Sequence, residues 1–439
     1  MHKSATSAPY GRAVTDEAPQ RRREANGPAQ GGEAAATSES VLLTAPRDGT
    51  PPPVTTPDEL ADVVRRFAAG TGPVAVDAER ASGYRYSHRA YLVQLRREGA
   101  GTALIDPIEL PDLSALGEAI ADAEWVLHAA SQDLPCLAEV GLLPLRLFDT
   151  ELAARLAGFE RVGLAALTES LLGYALEKHH SAADWSTRPL PESWLSYAAL
   201  DVELLIGLRD ALAAELERQG KAEWAAEEFA SLVAGAGQPP RVRPDPWRRT
   251  SGIHRVRGAR ALSRVRALWY ARDAIAARRD TTPGRVLPDA AIVAAAESDP
   301  KDERALVSLP GFGGRSGRRM AGTWLNALSD ARTLRDDQLP VTGPAEGPPP
   351  PHRWAERDPD AAARLARSRE VVTGLATTHR LPPENLIAPD SVRRLAWSPP
   401  DPLDEDAVRE VLAGFGARRW QIDLIAPGLT EALRGPAAA

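Results

Sequence analysis

The chain has 439 residues, a formal net charge of −7 and a single cysteine, Cys136. That length is enough for roughly two to four domains, and one cysteine excludes both a disulfide framework and a cysteine-rich zinc site. The acidic balance does not indicate a nucleic-acid-binding protein, and no apolar run approaches the roughly 18–20 residues of a membrane span. We expect a multidomain protein of the reducing cytoplasm.

Residues 1–52 are rich in Ala, Ser, Thr, Gly, Pro and charged side chains and show little apolar periodicity. This composition predicts a disordered tail, because it offers too little apolar surface to offset the entropy lost on folding. We expect deletion of residues 2–50 to leave folding and the catalytic rate on a short oligonucleotide nearly unchanged. Ordered structure is predicted to begin with a helix over residues 58–69, which Gly70 ends.

An α/β domain is predicted over residues 53–235. Three strand patterns come first, at residues 74–79, 91–95 and 102–105, and short polar segments join them. Helices and strands then alternate, and a long helix over residues 192–218 closes the domain. Short connections favour antiparallel neighbours, and the alternation is typical of a sheet with helices packed on it. The pattern therefore predicts a mixed sheet.

Two all-α modules are predicted after this domain. Every periodic segment beyond residue 250 has the apolar spacing of a helix. The predicted limits are a linker at 236–250, a first helical module at 251–334, a proline-rich linker at 335–353 and a second, degenerate helical module at 354–439.

The two modules share short motifs. Leu287-Pro288-Asp289 recurs as Ala388-Pro389-Asp390, and Gly311-Phe312-Gly313 recurs as Gly414-Phe415-Gly416. The nearly equal spacing of the two pairs favours a tandem repeat. Chance recurrence of so short a motif is the alternative.

A basic stretch spans the first linker and the first module. Twelve arginines and three acidic residues lie between Arg241 and Asp280. Such a stretch can contact phosphate, and a solvated helix face explains the same charge. The candidates for nucleic-acid contact are Arg255, Arg257, Arg260 and Arg264.

Two acidic residues interrupt the first strand pattern. Asp77 and Glu79 are two residues apart, so they share one face of the strand. Two like charges on a buried face repel each other and are costly to remove from water. A divalent cation between them would relieve this cost, and an exposed strand end is the alternative.

Two further acidic residues lie at the edges of predicted helices. Asp133 falls in the first turn of a helix that follows the strand ending at His128. Asp201 lies four residues after Tyr197 on one face of the closing helix. Taken alone, Asp133 is explained by the helix N-terminus, and Asp201 by a position at the rim of a groove.

Together these segments supply four carboxylates and one phenol from a single predicted domain. Hard oxygen ligands without Cys or His clusters select Mg²⁺ or Mn²⁺. Four acids can hold two such ions about 3.5–4 Å apart, a spacing that stabilises both the entering and the leaving oxygen of phosphodiester cleavage.

These residues resemble the three motifs of the DEDD superfamily of 3′–5′ exonucleases, tyrosine subclass. The matching segments are Asp77-x-Glu79, His128–Leu134 and Tyr197-x-x-x-Asp201. The chain is more closely similar to the ribonuclease D family, and its two helical modules resemble the HRDC domains of that family. Supporting matches are Leu92–Leu95, Leu147–Thr150, Asp184–Leu190 and Tyr197–Val202.

The resemblance covers roughly residues 54–434 and implies an α/β ribonuclease H-like exonuclease domain followed by two HRDC-like helical domains. It also implies two divalent cations, Mg²⁺ or Mn²⁺, and stepwise release of 5′-mononucleotides from RNA 3′ ends. The implied metal ligands are Asp77, Glu79, Asp133 and Asp201. Tyr197 would orient the attacking water.

Four further residues are candidates for substrate contact: His128, Ser131, Gln94 and Arg188. His128 and Ser131 stand beside the second motif and would touch the substrate or support the site. Arg188 is a phosphate-binding candidate, because guanidinium groups pair well with phosphate, and an ion pair within the domain is its alternative. Gln94 lies on the strand beside Asp77, and burial with a backbone partner is its alternative.

The leading hypothesis is a metal-dependent 3′–5′ exoribonuclease that acts on structured RNA ends such as tRNA precursors. A 3′–5′ DNA exonuclease is the nearest alternative, because a metal site does not read the sugar. A non-catalytic nucleic-acid-binding adaptor is the third. The sequence indicates no obligate protein partner, and we expect the nuclease domain to stay active when the chain is cut after about Gln238.

Overall fold

The computed structural model describes residues 40–176, 182–238, 244–342 and 347–435. Most of the predicted N-terminal tail, residues 1–39, lies outside these ranges. Among the described residues, no helix is both long and apolar enough to cross a membrane.

A six-stranded mixed sheet forms the centre of the α/β domain, as predicted. The strands are β1 (Val41–Leu43), β2 (Pro53–Val54), β3 (Thr71–Arg80), β4 (Ala90–Glu98), β5 (Gly101–Ile105), β6 (Trp125–Leu127), β7 (Leu147–Asp149) and β8 (Tyr174–Leu176). The order in the sheet is β2-β5-β4-β3-β6-β7, with β3, β4 and β5 antiparallel and the other pairs parallel. A separate parallel pair joins β1 and β8.

Among the described residues of this domain, eight α-helices accompany the sheet. They are α1 (Pro57–Ala69), α2 (Ser114–Ala119), α3 (Leu134–Glu139), α4 (Thr150–Ala157), α5 (Leu164–Leu167), α6 (Glu192–Glu203), α7 (Leu205–Arg218) and α8 (Ala222–Gly235). The prediction of one continuous helix over 192–218 is wrong, because the helix is interrupted at Leu204. α6 packs on β3, β4 and β5, whereas α7 packs on α4, β3 and β6.

Residues 40–52 are ordered, so the prediction of a disordered tail up to residue 52 is wrong for this part. The Arg47 backbone N–H donates to the Glu203 carboxylate at 3.1 Å. Asp48 forms an ion pair with Arg96 at 2.8 Å. These partners are distant in the sequence, so local composition could not reveal them.

The two helical modules are structural copies at their N-terminal ends. The first consists of α9 (Ala259–Arg279), α10 (Pro283–Val286), α11 (Asp289–Ser298), α12 (Glu303–Val307), α13 (Arg315–Arg319) and α14 (Ala321–Thr333). The second consists of α15 (Trp354–Arg357), α16 (Pro359–His379), α17 (Pro383–Leu386), α18 (Pro389–Trp397), α19 (Glu405–Gly414) and α20 (Arg419–Arg434). α9 and α16 are both 21 residues long. The second Gly-Phe-Gly is not equivalent to the first, since Phe312 is buried and Phe415 is exposed.

The second helical module shares one hydrophobic core with the α/β domain. Leu208 of α7 and Phe229 of α8 belong to the same buried cluster as Trp420 and Leu429 of α20. A cut after Gln238 would therefore expose one side of a continuous core. The structure argues against our expectation that such a fragment stays active.

Polar and aromatic contacts reinforce this shared interface. Trp420 stacks on Trp224 with ring centroids 4.7 Å apart. The Lys221 ammonium donates to the carbonyls of Leu156 at 2.6 Å and His379 at 2.7 Å, at the C-terminal ends of α4 and α16. Burial lowers the pKa of Lys221 to about 8, and the two carbonyls satisfy its charge in place of water.

The first helical module packs around a separate cluster that includes Trp324 and Phe312. It reaches the α/β domain through Asp280, whose carboxylate accepts the backbone N–H groups of Tyr86 at 3.2 Å and Ser87 at 2.9 Å. Polar contacts of this kind can be lost without opening a core. The first module therefore has a core of its own, whereas the second module and the α/β domain share one hydrophobic core.

We predict different effects for two tryptophan substitutions of the same kind. Trp420→Ala should lower the stability of the α/β domain by about 3 kcal/mol, because it opens a cavity in the shared core. Trp324→Ala, in the separate core, should leave the unfolding midpoint of the α/β domain nearly unchanged. Denaturant unfolding measures both changes in stability when the unfolding of the α/β domain is monitored by its susceptibility to proteolysis. Equal effects of the two substitutions on that domain would contradict the shared core.

Candidate active site

One cleft of about 410 Å³ collects side chains from three parts of the α/β domain. β3 supplies two of them, the start of α3 supplies one, and α6 supplies two. The residues predicted to be catalytic all line this cleft: Asp77, Glu79, Asp133, Tyr197 and Asp201.

Three of the carboxylates are close neighbours. Asp77, Glu79 and Asp201 each offer one oxygen within 4.8 Å of the others. Asp133 lies beside this cluster, and its carboxylate forms an ion pair with Arg80 at 3.3 Å. Strand alternation brings the first two together, and the packing of α6 on β3 adds the third.

The cleft raises the pKa of all four carboxyl groups. Burial raises the pKa of Asp77 to about 6. Burial, followed by the charges of neighbouring carboxylates, raises the pKa values of Glu79, Asp133 and Asp201 well above their usual range. Both causes disfavour the ionised form. A divalent cation would reverse both, and an oxygen-only donor set of this kind fits such a hard cation.

Tyr197 hydrogen-bonds to Asp201 through its hydroxyl group. Burial and the nearby charges of Asp201, Glu79 and Asp77 raise the pKa of Tyr197. Without a cation in the cleft, the phenol therefore remains protonated at neutral pH. A protonated phenol can hold a water molecule by hydrogen bonds.

Gln94 supports the site from the neighbouring strand. Its fully buried side-chain amide donates to Oδ2 of Asp77 at 2.9 Å. The prediction that Gln94 approaches the terminal nucleotide is therefore wrong, because its donor is directed to a carboxylate. Its role is to fix the orientation of Asp77.

Asp149 organises the loop that carries the second motif. Its carboxylate accepts the N–H groups of Ala129 at 3.1 Å and Ala130 at 2.9 Å, and it also caps α4. Ala129 has a φ of 60°, a left-handed conformation that is unfavourable for alanine. The bonds to Ala129 and Ala130 hold this loop in place before Asp133.

His128 lines the cleft as a neutral ring. The Thr150 hydroxyl donates to the Leu127 carbonyl at 3.2 Å, so it accepts a hydrogen bond from Nδ1 of His128 at 2.9 Å. Burial lowers the pKa of His128 to about 4. This tautomer leaves Nε2 as a hydrogen-bond acceptor, which agrees with a role in substrate contact.

Arg188 is a structural residue, so its prediction as a phosphate ligand is wrong. Its guanidinium donates twice to Asp106, at 2.6 and 2.8 Å, and also to the carbonyls of Tyr91, Trp185 and Thr187, each at 2.8 Å. An arginine has five N–H donors, and these contacts use all of them.

Ser131 does not line the acidic cleft either. It borders a different cavity, together with Ser231 and Leu232 of α8. The side chain is exposed on the far side of the short helical turn that precedes Asp133. The geometry of the cleft therefore gives no support to the prediction of substrate contact for Ser131.

The four candidate arginines of the basic stretch divide into two pairs. Arg264 donates to the Ala296 carbonyl at 2.7 Å, and Arg364 of the second module makes the equivalent bond to Ala396 at 2.9 Å. The repetition identifies Arg264 as a helix-capping residue of the module.

Arg260 pairs with Asp336 at 2.5 Å. The side chains of Arg255 and Arg257 are exposed, and neither side chain forms a hydrogen bond or ion pair within the described residues. The prediction of nucleic-acid contact is thus weakened for Arg260 and Arg264 and stays a prediction for Arg255 and Arg257. Arg241 and Arg243 lie outside the described residues.

Comparison with family models agrees with this architecture. Residues 51–217 match a model described as 3′-5′ exonuclease, and residues 261–328 match the HRDC domain. Residues 347–433 match a model described as 3′ to 5′ exonuclease C-terminal domain. The predicted fold class, an exonuclease domain with a mixed sheet followed by helical domains, is confirmed.

Individual relatives extend the match over most of the chain. A ribonuclease D of Gluconacetobacter diazotrophicus is 33% identical over 362 residues, which cover 80% of this chain and 88% of that protein. A crystal structure of a protein from Bifidobacterium adolescentis is 40% identical with a TM-score of 0.81, covering 90% of this chain and 100% of the other.

The crystal structure of Escherichia coli RNase D is 27% identical, with a TM-score of 0.66, and covers 87% of this chain and 98% of the other. That protein is described as an exoribonuclease involved in structured RNA processing. The matches extend through the nuclease domain and the helical modules alike. The chain therefore belongs to the ribonuclease D family.

Proposed function

We propose that this protein is a metal-dependent 3′–5′ exoribonuclease that releases 5′-mononucleotides from RNA 3′ ends. The observation that carries the proposal is the convergence of Asp77, Glu79 and Asp201 within 4.8 Å. Asp133 and Tyr197 line the same cleft. A nuclease of the ribonuclease D family requires such a cluster at the reacting phosphate.

The four carboxylates would hold two divalent cations, Mg²⁺ or Mn²⁺. These ions would supply an activated water and stabilise the charge that develops on the leaving oxygen. Asp77 is oriented for this role by Gln94. The protonated hydroxyl of Tyr197 would orient the attacking water, and Nε2 of His128 would accept a hydrogen bond from the terminal nucleotide.

We propose structured RNA 3′ ends, including tRNA precursors, as the substrate class, in the cytoplasm. The similarity to a bacterial exoribonuclease involved in structured RNA processing supports this choice. The exposed Arg255 and Arg257 would add phosphate contacts from the first helical module. The proposed limits of the nuclease domain, first module and second module are 53–235, 251–334 and 354–439.

We predict that cleavage of a 5′-labelled RNA strand vanishes in EDTA and returns with Mg²⁺ or Mn²⁺, because the proposed mechanism takes its activated water from the bound cations. The labelled strand should shorten from its 3′ end, and chromatography should identify 5′-mononucleotides. Full activity in EDTA would contradict the metal mechanism. Faster cleavage of a matched DNA strand would favour a DNA exonuclease, and binding without cleavage of either would favour an adaptor.

Two substitutions separate holding the metal from positioning water. Asp201→Asn should lower kcat by about 1,000-fold or more, because it removes a charged ligand from the reacting centre. Tyr197→Phe should lower kcat by about 10-fold and leave the Mg²⁺ dependence unchanged, because only a hydroxyl is lost. Tyr270→Phe, on the exposed surface of the first module, serves as the control. A wild-type rate for Tyr197→Phe in single-turnover measurements would refute this assignment.

The raised pKa of Asp77 predicts a stability effect without metal. A folded-state pKa of about 6, above the usual 3.8, means that ionisation of Asp77 destabilises the fold progressively as the pH rises through this interval. In EDTA at pH 7.5, Asp77→Asn should therefore raise the stability by on the order of 1 kcal/mol. The gain should shrink towards pH 5 and reverse in Mg²⁺. Thermal unfolding measures it, and a loss of stability in EDTA at pH 7.5 would count against the repulsion.

A further inference from the structure

Arg80 lies at an irregular point of β3. In a regular strand, its side chain would face away from Asp77 and Glu79. The pairing of β3 with β4 shifts register between Glu79 and Arg80, and all three residues line the acidic cleft. A strand irregularity of this kind re-aims a side chain. The fold therefore directs an arginine into the cleft beside the carboxylates.

A second cavity of about 470 Å³ continues from this point. Glu79, Arg80 and Gln132 line both cavities. Beyond them the second cavity is bordered by small residues, among them Gly83 and Ala182. Such a wall leaves room for a nucleic-acid strand that extends away from the reacting phosphate.

Arg80 is the one arginine or lysine among the described residues that line these two cavities. Its Nη2 lies 3.3 Å from Asp133 and 3.4 Å from the Gln132 side chain. Its Nε and Nη1 form no hydrogen bond within the part of the chain that the structure describes. Arg188, by contrast, has every donor engaged. Arg80 thus retains donors at the junction of the two cavities, on a side chain that is 26% exposed.

We propose that Arg80 is a substrate-binding residue that holds the phosphate immediately upstream of the scissile bond. The inference rests on the proposed function, in which the carboxylates and their cations take the scissile phosphate. The next phosphate then falls where the strand passes from the acidic cleft into the second cavity. A guanidinium with free donors is suited to this group, and it offsets the repulsion between the acidic cleft and the polyanion.

The experiment removes the charge of one linkage at a time from a four-nucleotide single strand. A methylphosphonate stands either at the linkage next to the scissile bond or one linkage further upstream, with 2′-deoxy sugars at both positions in every strand. Binding is measured with the full chain carrying Asp201→Asn, with and without Arg80→Gln. The value of kcat/KM is measured with Asp201 intact. Arg65→Gln, on the exposed face of α1, is the control.

We expect the neutral linkage next to the scissile bond to weaken binding about 10-fold, the effect of one charge-assisted hydrogen bond. Arg80→Gln should weaken binding of the charged strand by a similar factor and add no further loss on that neutral strand. When the neutral linkage stands one position further upstream, Arg80→Gln should still weaken binding by the same factor. Arg65→Gln should leave the affinity for every strand unchanged.

The proposal would be overturned if Arg80→Gln weakened binding of the charged and the neutral strand equally. It would also be overturned if Arg80→Gln weakened the affinity for Mg²⁺ and its effect on strand binding did not depend on the linkage. Either result would show that Arg80 acts only through Asp133. Failure of the wild-type chain to cleave RNA would instead refute the proposed function, and the binding measurements would still decide the role of Arg80.

Discussion

Mutual repulsion among buried carboxylates is the constraint on which the site depends. Asp77, Glu79 and Asp201 converge within 4.8 Å, and burial raises the pKa of each. A fold optimised for stability alone would separate them. Their convergence is tolerable because the surrounding elements hold them rigidly, and because a divalent cation can relieve the repulsion. The cluster therefore links the stability of the domain to its chemistry.

Neighbouring polar residues hold these carboxylates in place by hydrogen bonds and ion pairs. Gln94 fixes Asp77 from the adjacent strand, and Arg80 pairs with Asp133. Asp149 stabilises the left-handed Ala129 at the start of the loop that leads to Asp133. None of these neighbours belongs to the cluster of three carboxylates, yet each determines where a carboxylate stands. The site is best understood as a charged centre inside a rigid hydrogen-bonded frame.

The two helical modules have different relations to this frame. The second shares a core with α7 and α8, and the contacts of Lys221 and Trp420 seal the interface. The first has its own core and meets the α/β domain through Asp280. The two repeats thus differ in their packing: the second module shares the hydrophobic core of the α/β domain, whereas the first has a separate core and carries exposed arginines.

The mixed sheet and the helical repeat were predictable from the sequence, because apolar periodicity is a local property. Strand alternation joins Asp77 to Glu79 and helical spacing joins Tyr197 to Asp201, whereas Asp133 was added through the resemblance to the exonuclease motifs. Which polar residues face the cleft depends on the tertiary structure. Arg188 and Arg264 have the chemistry of phosphate ligands, but distant carboxylates and carbonyls engage them. Residues 40–52 and the shared core likewise depend on partners far away in the chain, which no local pattern encodes.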